Sequence, residues 1–244
     1  MVAEIIQSKA VAAGLLKECY SLQGSETFSL ATAVNSVILS KRIKFPILEY
    51  CGRELFKHIS SDKHIEFLDA LVKSKVMGSW VIAGMMLQLR LNEHFEKSLA
   101  KAAEYITYGN EWYVCDIIGE RVMGHGLLKY PMKMLPELKL LAENQDRWLV
   151  RSVGVTAHYA TKKGLAIYYA DEVFKLLLSL ANSTDFHTKK GIGWGAKTIA
   201  KFHPSIIEKY KNEVYNNPTV KQWFKTKVEI GLRRNEFEIG KYLG

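Results

Sequence analysis

Residues that punctuate sheets and crosslink chains are scarce here. Only five prolines occur in 244 residues, and few Gly/Pro/Asn clusters recur at strand-like intervals, which argues against a sandwich or barrel. The three cysteines, Cys19, Cys51 and Cys115, are far apart, odd in number and form no CxxC. They supply neither a disulfide framework nor a zinc site. The seven histidines lack ligand spacing with one another, and HExxH, GxSxG and GxxxxGK[ST] are absent. Gly191-Ile192-Gly193 is a glycine pair in a helical setting and does not form a nucleotide loop. No metal and no cofactor are therefore expected. No stretch reaches transmembrane length, and no basic start leads into a long apolar run. The expectation is a cytoplasmic protein that does not engage membranes.

What the sequence does have is positive charge. The 34 Lys+Arg exceed the 25 Asp+Glu, for a formal net charge of +9. Between Thr184 and Arg234 there are eleven basic and only four acidic residues, so most of the excess lies in the C-terminal third. An excess of this kind favours polyanions. Without a strongly hydrophobic face beside it, it favours nucleic acid over a membrane surface.

Apolar periodicity is helical almost from end to end. It predicts helices at Glu4–Leu22, Thr27–Leu39, Phe45–His58, Asp62–Val72, Gly78–Leu91, Glu93–Thr107 and Glu111–Val122. Further helices are predicted at Met132–Ala142, Arg147–Ala160, Tyr169–Leu180, Lys189–Phe202, Pro204–Tyr215 and Val220–Ile230. Thr27 and Ser61 offer N-cap side chains, and Pro204 suits a first turn. The fold class is all-α. Short helices with short connections point to antiparallel pairs stacked in a curved solenoid, with an irregular helical globule as the alternative, because no strict repeat is present.

Three helices carry residues that core packing does not explain. In Lys189–His203, Ile192, Ala196, Ile199 and His203 share one stripe, while Lys190, Trp194, Lys197 and Lys201 share a roughly opposite one. Indole among lysines suits bases or sugars, with ammonium groups on phosphates; Trp194 packed under a neighbouring helix is the plainer option. In the second helix Trp112 and Asp116, four apart, share a face, with Val114, Ile117 and Ile118 turned away. A carboxylate beside an aromatic face would suit a cationic sugar, although a lone Asp more often caps a helix or pairs with Arg. The third helix turns Leu149, Val153, Thr156, Ala157 and Ala160 inward and leaves Arg151 and His158 off that face. Arg151 is either a phosphate contact or a surface ion pair, and Trp148 a packing residue. His158 has no partner at ligand spacing and is not assigned a catalytic role.

At these residues the chain resembles the DNA alkylation repair family, the alkylpurine DNA glycosylases built from HEAT-like helical repeats. DFHTKKGIGWGAKTIAKFHP (residues 185–204) is similar to the family's block of Phe, Lys, a small residue, Ile-Gly-Trp, a basic residue and a helix end at Pro. Trp112-x-x-x-Asp116 is similar to its Trp–Asp pair, and Trp148-Leu-Val-Arg151 to its Trp-Leu-x-Arg element. The resemblance spans roughly residues 70–235 and implies one HEAT-like domain over 1–244. It also implies a basic concave face on duplex DNA, with Trp112, Asp116 and Trp194 around the deoxyribose of the damaged nucleotide and Arg151 on the backbone. A deep base pocket of the kind that flipping enzymes use is not implied. Two departures stand out. Lys197 occupies a position where the family commonly has arginine, and lysine makes no bidentate phosphate contact. Thr161–Tyr169 looks unlike the usual connection and is expected to be a distinct loop.

Together these readings give a monofunctional DNA glycosylase for cationic N3- or N7-alkylpurines. Asp116, Trp112 and Trp194 form its catalytic set, and Arg151, Lys190, Lys197 and Lys201 its DNA-binding set. It is expected to act as a monomer on nucleoid DNA of a bacterial-type cytoplasm. One rival is a non-catalytic binder of branched or distorted DNA, motivated by the basic third and the 161–169 stretch. A helical-repeat protein scaffold is the other, and it leaves the off-core tryptophans unexplained.

Overall fold

The computed structural model describes residues 5–22 and 27–243, with side chains described for 5–22 and 29–235. The chain is all-helical. Among the described residues the sole β feature is a single bridge between Ile6 and Ile43, and no helix is long and apolar enough to cross a membrane. Two compact units emerge, residues 1–100 and 101–244.

The first unit runs from α1 (Lys9–Leu22) through α2 (Thr27–Ala33), which continues into a π-turn at Val34–Leu39. It goes on through α3 (Phe45–His58), a 3₁₀ turn (Ser61–Lys63), α4 (His64–Val72) and α5 (Met77–Arg90). Glu4, the expected start of the first helix, lies outside the described residues. Residues 5–8 are not helical, with Ile6 in the bridge to Ile43, a correction to the predicted start; from Lys9 onward that helix is as expected. α5 is the central element. Its Trp80, Val81, Ile82, Ala83, Met86 and Leu87 are fully buried, as its apolar sequence predicts. Ser61 sits inside the 3₁₀ turn and caps nothing by side chain, a correction to the expected N-cap. The Thr27 side chain lies outside those described.

The next helix, α6 (Phe95–Gly109), is followed in the second unit by α7 (Trp112–Ile118), a π-turn (Gly119–Gly124), α8 (His125–Lys129) and α9 (Pro131–Ala142). Then come α10 (Arg147–Lys162), α11 (Ile167–Ser179), α12 (Phe186–Phe202), α13 (Pro204–Lys209), α14 (Lys211–Tyr215) and α15 (Gln222–Leu243). The predicted Glu111–Val122 helix thus extends through a wider turn into α8. Pro204 does open its helix, with fixed φ and no amide hydrogen to waste. The 161–169 stretch is no distinct loop: α10 runs on to Lys162, Gly164 turns the chain at φ 94°, and α11 starts at Ile167. A positive φ there is free for glycine and strained for other residues.

α10 and α12 form the second unit's tightest pair. A Cβ on Gly154 would stand 2.0 Å from the Gly191 carbonyl oxygen, and one on Gly195 2.8 Å from the Gly154 carbonyl. The two backbones touch where any side chain would intervene. α10 also packs on α7, the π-turn, α8, α9 and α11, so residues 148–157 are all buried. Enclosure on that scale is why Arg151 is only 6% exposed and not on an outer face, as its helical projection predicts.

Gly154→Ala should therefore destabilise the protein by about 3 kcal/mol or more, since overpacking here meets backbone that cannot yield. Gly14, a helical position with nothing within 4 Å of an added Cβ, is the comparison: Gly14→Ala should be neutral or stabilise by ~0.5–1 kcal/mol. Urea denaturation midpoints of the two variants check the contrast.

Candidate functional site

The site is built outward from α10. Asp146 caps that helix, its Oδ1 accepting from the Trp148 amide at 2.8 Å. The first turn then anchors its neighbours. Trp148, 4% exposed, donates its indole N–H to Asn110 Oδ1 at 2.6 Å. Asn110 sits at φ 49° just before α7, in the left-handed region that asparagine tolerates better than most residues. The Cys115 thiol donates to the Trp148 carbonyl at 3.2 Å, and burial raises its pKa well above the ordinary thiol range. It is a packing group and not a nucleophile.

One turn on, Arg151 makes the contact that organises the site. Its Nε donates to Asp116 Oδ1 at 3.0 Å and its Nη2 to Oδ2 at 2.9 Å. The remaining Nη1 donates to the His187 carbonyl of α12 at 3.2 Å. The side chains are 8% and 18% exposed, so this is a fork-to-fork, charge-assisted pair held largely out of water. One guanidinium therefore ties α7, α10 and α12 together. Each carboxylate oxygen gives Arg151 one lone pair and retains capacity to accept another bond. Trp112, one turn earlier on α7, is 53% exposed, while Val114, Ile117 and Ile118 are buried behind it. The face expected from i,i+4 spacing is present.

Trp194 lies on α12, whose N-cap Asp185 accepts from the Thr188 amide at 2.7 Å. Enclosed by α10 on one side and α15 on another, α12 buries nearly everything between Gly191 and Ala200. Lys190, Trp194, Lys197 and Lys201 form the stripe left at least partly open. Ile192, Ala196 and Ile199 are fully buried, as expected of the opposite stripe. The Lys190 and Lys201 ammonium groups lie over Phe186 and Phe202, 5.2 and 5.1 Å from the ring centroids.

Sequence alone did not single out His158. Its ring stacks on the Trp194 indole with centroids 3.9 Å apart and planes 23° from parallel. The Thr198 hydroxyl joins the two: it is 2.7 Å from His158 Nδ1 and donates to the Trp194 carbonyl at 2.9 Å. Both bonds are satisfied when Nδ1–H donates to the hydroxyl. The available signal was the seven-residue spacing of Arg151 and His158, which puts them on one face of α10, about 10 Å apart along the axis. Asp116 meets the first of them and Trp194 the second, so that face links the carboxylate to the indole. Among the described residues no cluster of His, Cys, Asp and Glu is poised to hold a metal.

Burial, with Lys162 and Lys197 nearby, holds the His158 pKa down to about 4, below the ~6.5 of a free imidazole. The folded state thus prefers the neutral ring. Its contribution to stability is complete above about pH 6.5 and is lost as the pH falls towards 4. Replacing His158 by Phe, which keeps the stack and removes the titration, should shrink the fall in Tm between pH 7 and 4.5. An unchanged fall would contradict this assignment.

Compared with known proteins, residues 43–224 match the family model described as DNA alkylation repair enzyme. No curated protein and no solved structure matches the chain. The matched span takes in most of the sequence, including α7, α10 and α12 with the Asp116–Arg151 pair and the Trp194 stripe. The chain belongs to the DNA alkylation repair enzyme family.

Proposed function

We propose that the protein is a monofunctional DNA glycosylase that hydrolyses the N-glycosidic bond of cationic N3- or N7-alkylated purines in duplex DNA. The observation that carries this reading is the oriented Asp116 carboxylate, fixed by Arg151 one helical turn from the exposed Trp112. In this proposal Trp112 and Trp194 contact the deoxyribose, and Lys190, Lys197 and Lys201 contact the backbone. Arg151 positions Asp116 with two of its five N–H groups and reaches the His187 carbonyl with a third; in this proposal it also contacts the DNA backbone. The frame that goes with the reading is a HEAT-like solenoid forming one domain over 1–244, working as a monomer on nucleoid DNA in the cytoplasm.

The chemistry follows from charge. Alkylation at N3 or N7 makes the purine cationic. As the C1′–N bond breaks, its electron pair leaves with the base, which departs neutral, and positive charge develops on the sugar. Asp116 stabilises that charge through space and the indole faces through cation–π contact. A water then attacks C1′ and loses its proton, with Asp116 placed to orient it. The cationic leaving group needs no acid, which accords with a site whose histidine is neutral and engaged under Trp194. Arg151 offsets part of the carboxylate's field, and in return holds it in one geometry.

The alternative, a non-catalytic binder of branched DNA, loses one of its two motivations, because residues 161–169 form a short corner between α10 and α11.

The two readings part on lesion charge. Duplexes carrying 7-methylguanine should release base at least a hundredfold faster than duplexes carrying the neutral adduct hypoxanthine. Trp112→Ala and Trp194→Ala should each slow release roughly 10–100-fold, the span of about 1.4–2.7 kcal/mol in barrier. Chromatography of the released bases is the readout. Equal rates for the two lesions would refute the cationic-leaving-group mechanism, and no release by a folded, DNA-binding protein would favour the binder.

A further inference from the structure

A second group of cations lies beside Trp194, assembled by the contact between α12 and α15. A Cβ on Gly193 would stand 2.8 Å from Lys227 Cγ, 3.5 Å from Cδ and 3.6 Å from Cε. The Lys227 stem therefore runs across Gly193, the residue next to Trp194. On the same interface a Cβ on Gly231 would stand 2.3 Å from the Lys197 carbonyl oxygen and 2.6 Å from Ala200 Cβ. Lys227 and Arg234 are seven apart and share a face of α15, and that face is the one pressed against Lys197. Both glycine contacts bring backbone to backbone or stem to backbone, so the helices that carry the three cations lie close together.

Among the described side chains no ion pair offsets their mutual repulsion. Burial, then Arg234 and Lys227, hold the Lys197 pKa below the ordinary lysine value. Among the described residues no ion pair engages Lys197, Lys227 or Arg234. Glu229, the one acidic residue among the described side chains of α15, lies near Tyr215, whose pKa is raised by burial and then by Glu229. Neighbouring positive charges with no carboxylate paired to them among the described side chains are unfavourable by themselves, and an anion bound between them removes that cost.

We propose that Lys197, Lys227 and Arg234 form a phosphate clamp that takes a backbone phosphodiester of DNA about one helical turn from Trp194, next to the nucleotide whose sugar that indole meets. This rests on the DNA reading above and deepens it. The clamp sets register: it fixes one phosphate relative to Asp116 and the indoles and carries no sequence information, as expected of an enzyme that finds lesions in any context. Arg234 can supply the forked geometry that Lys197 lacks.

Undamaged duplex is the probe, so base release plays no part in the test. Fluorescence anisotropy across a KCl series should show Lys227→Gln/Arg234→Gln binding at least tenfold more weakly than wild type near 100 mM salt. The slope of log K against log salt should become shallower by about two, one for each cation withdrawn from the DNA backbone. The charge-matched variant Lys73→Gln/Lys139→Gln should keep most of the affinity and slope. Circular dichroism confirms that each variant folds. Equal losses in both double variants would reduce the clamp to a general charge effect and overturn it. So would wild-type affinity and slope in Lys227→Gln/Arg234→Gln. Tight calorimetric binding of inorganic phosphate, abolished in that variant while duplex affinity is kept, would assign the site to a free anion and also overturn the clamp. If wild type fails to bind duplex at 50 mM salt, the DNA reading falls together with the clamp. If it binds with the clamp-dependent slope and releases no base, the clamp stands and the glycosylase reading alone falls.

Discussion

The second unit depends on one close approach, that of α10 to α12 over Gly154, Gly191 and Gly195. Helices with ordinary side chains at a crossing lie about 8–10 Å apart; here carbonyl oxygens occupy the space that methyl groups would need. That approach sets the reach of everything else. It lets Nη1 of Arg151 contact the His187 carbonyl while the rest of the fork grips Asp116, and it lays the Trp194 indole flat on His158. A methyl group at Gly154 or Gly191 would push apart the carboxylate and the indole that face the same side of α10.

The Asp116–Arg151 pair is an exchange of field for geometry. An isolated carboxylate would act on a sugar cation more strongly, but without a partner it would not be held in one orientation. The bidentate fork fixes the carboxylate's orientation. Removing either partner would leave the other charge largely buried, at a cost of about 3–5 kcal/mol. The contact thus serves stability and site geometry at once. The neutral His158 is held so by burial and then by Lys162 and Lys197: a protonated ring under Trp194 would add to their positive charge.

How much of this was legible in the sequence differs from residue to residue. The split stripes of α12 and of α7 were readable, because an amphipathic pattern reports directly which side meets water. The family was readable too, since the Trp–Asp, Trp-Leu-x-Arg and Ile-Gly-Trp elements occur in order. Arg151 was misplaced because a helical projection knows one helix, whereas α10 is enclosed on several sides. His158 was passed over because stacking is a tertiary contact with no spacing signature. Residues 161–169 were expected to be a distinct loop because they look unlike the family's usual connection, and the positive φ of Gly164 makes them a tight corner instead. The Lys227 and Arg234 cluster was visible only as excess charge until the glycines of α12 and α15 showed how closely those helices meet.

The most direct measurement of the central claim is single-turnover release of 7-methylguanine from a defined duplex by wild type and by Asp116→Asn, with duplex affinity measured alongside. The account predicts release by wild type and a loss of at least a hundredfold in the variant, with affinity for the undamaged duplex kept within a few fold. Release that survives in a folded Asp116→Asn protein would contradict it, since the oriented carboxylate would then be a structural tie between α7 and α10 and nothing more.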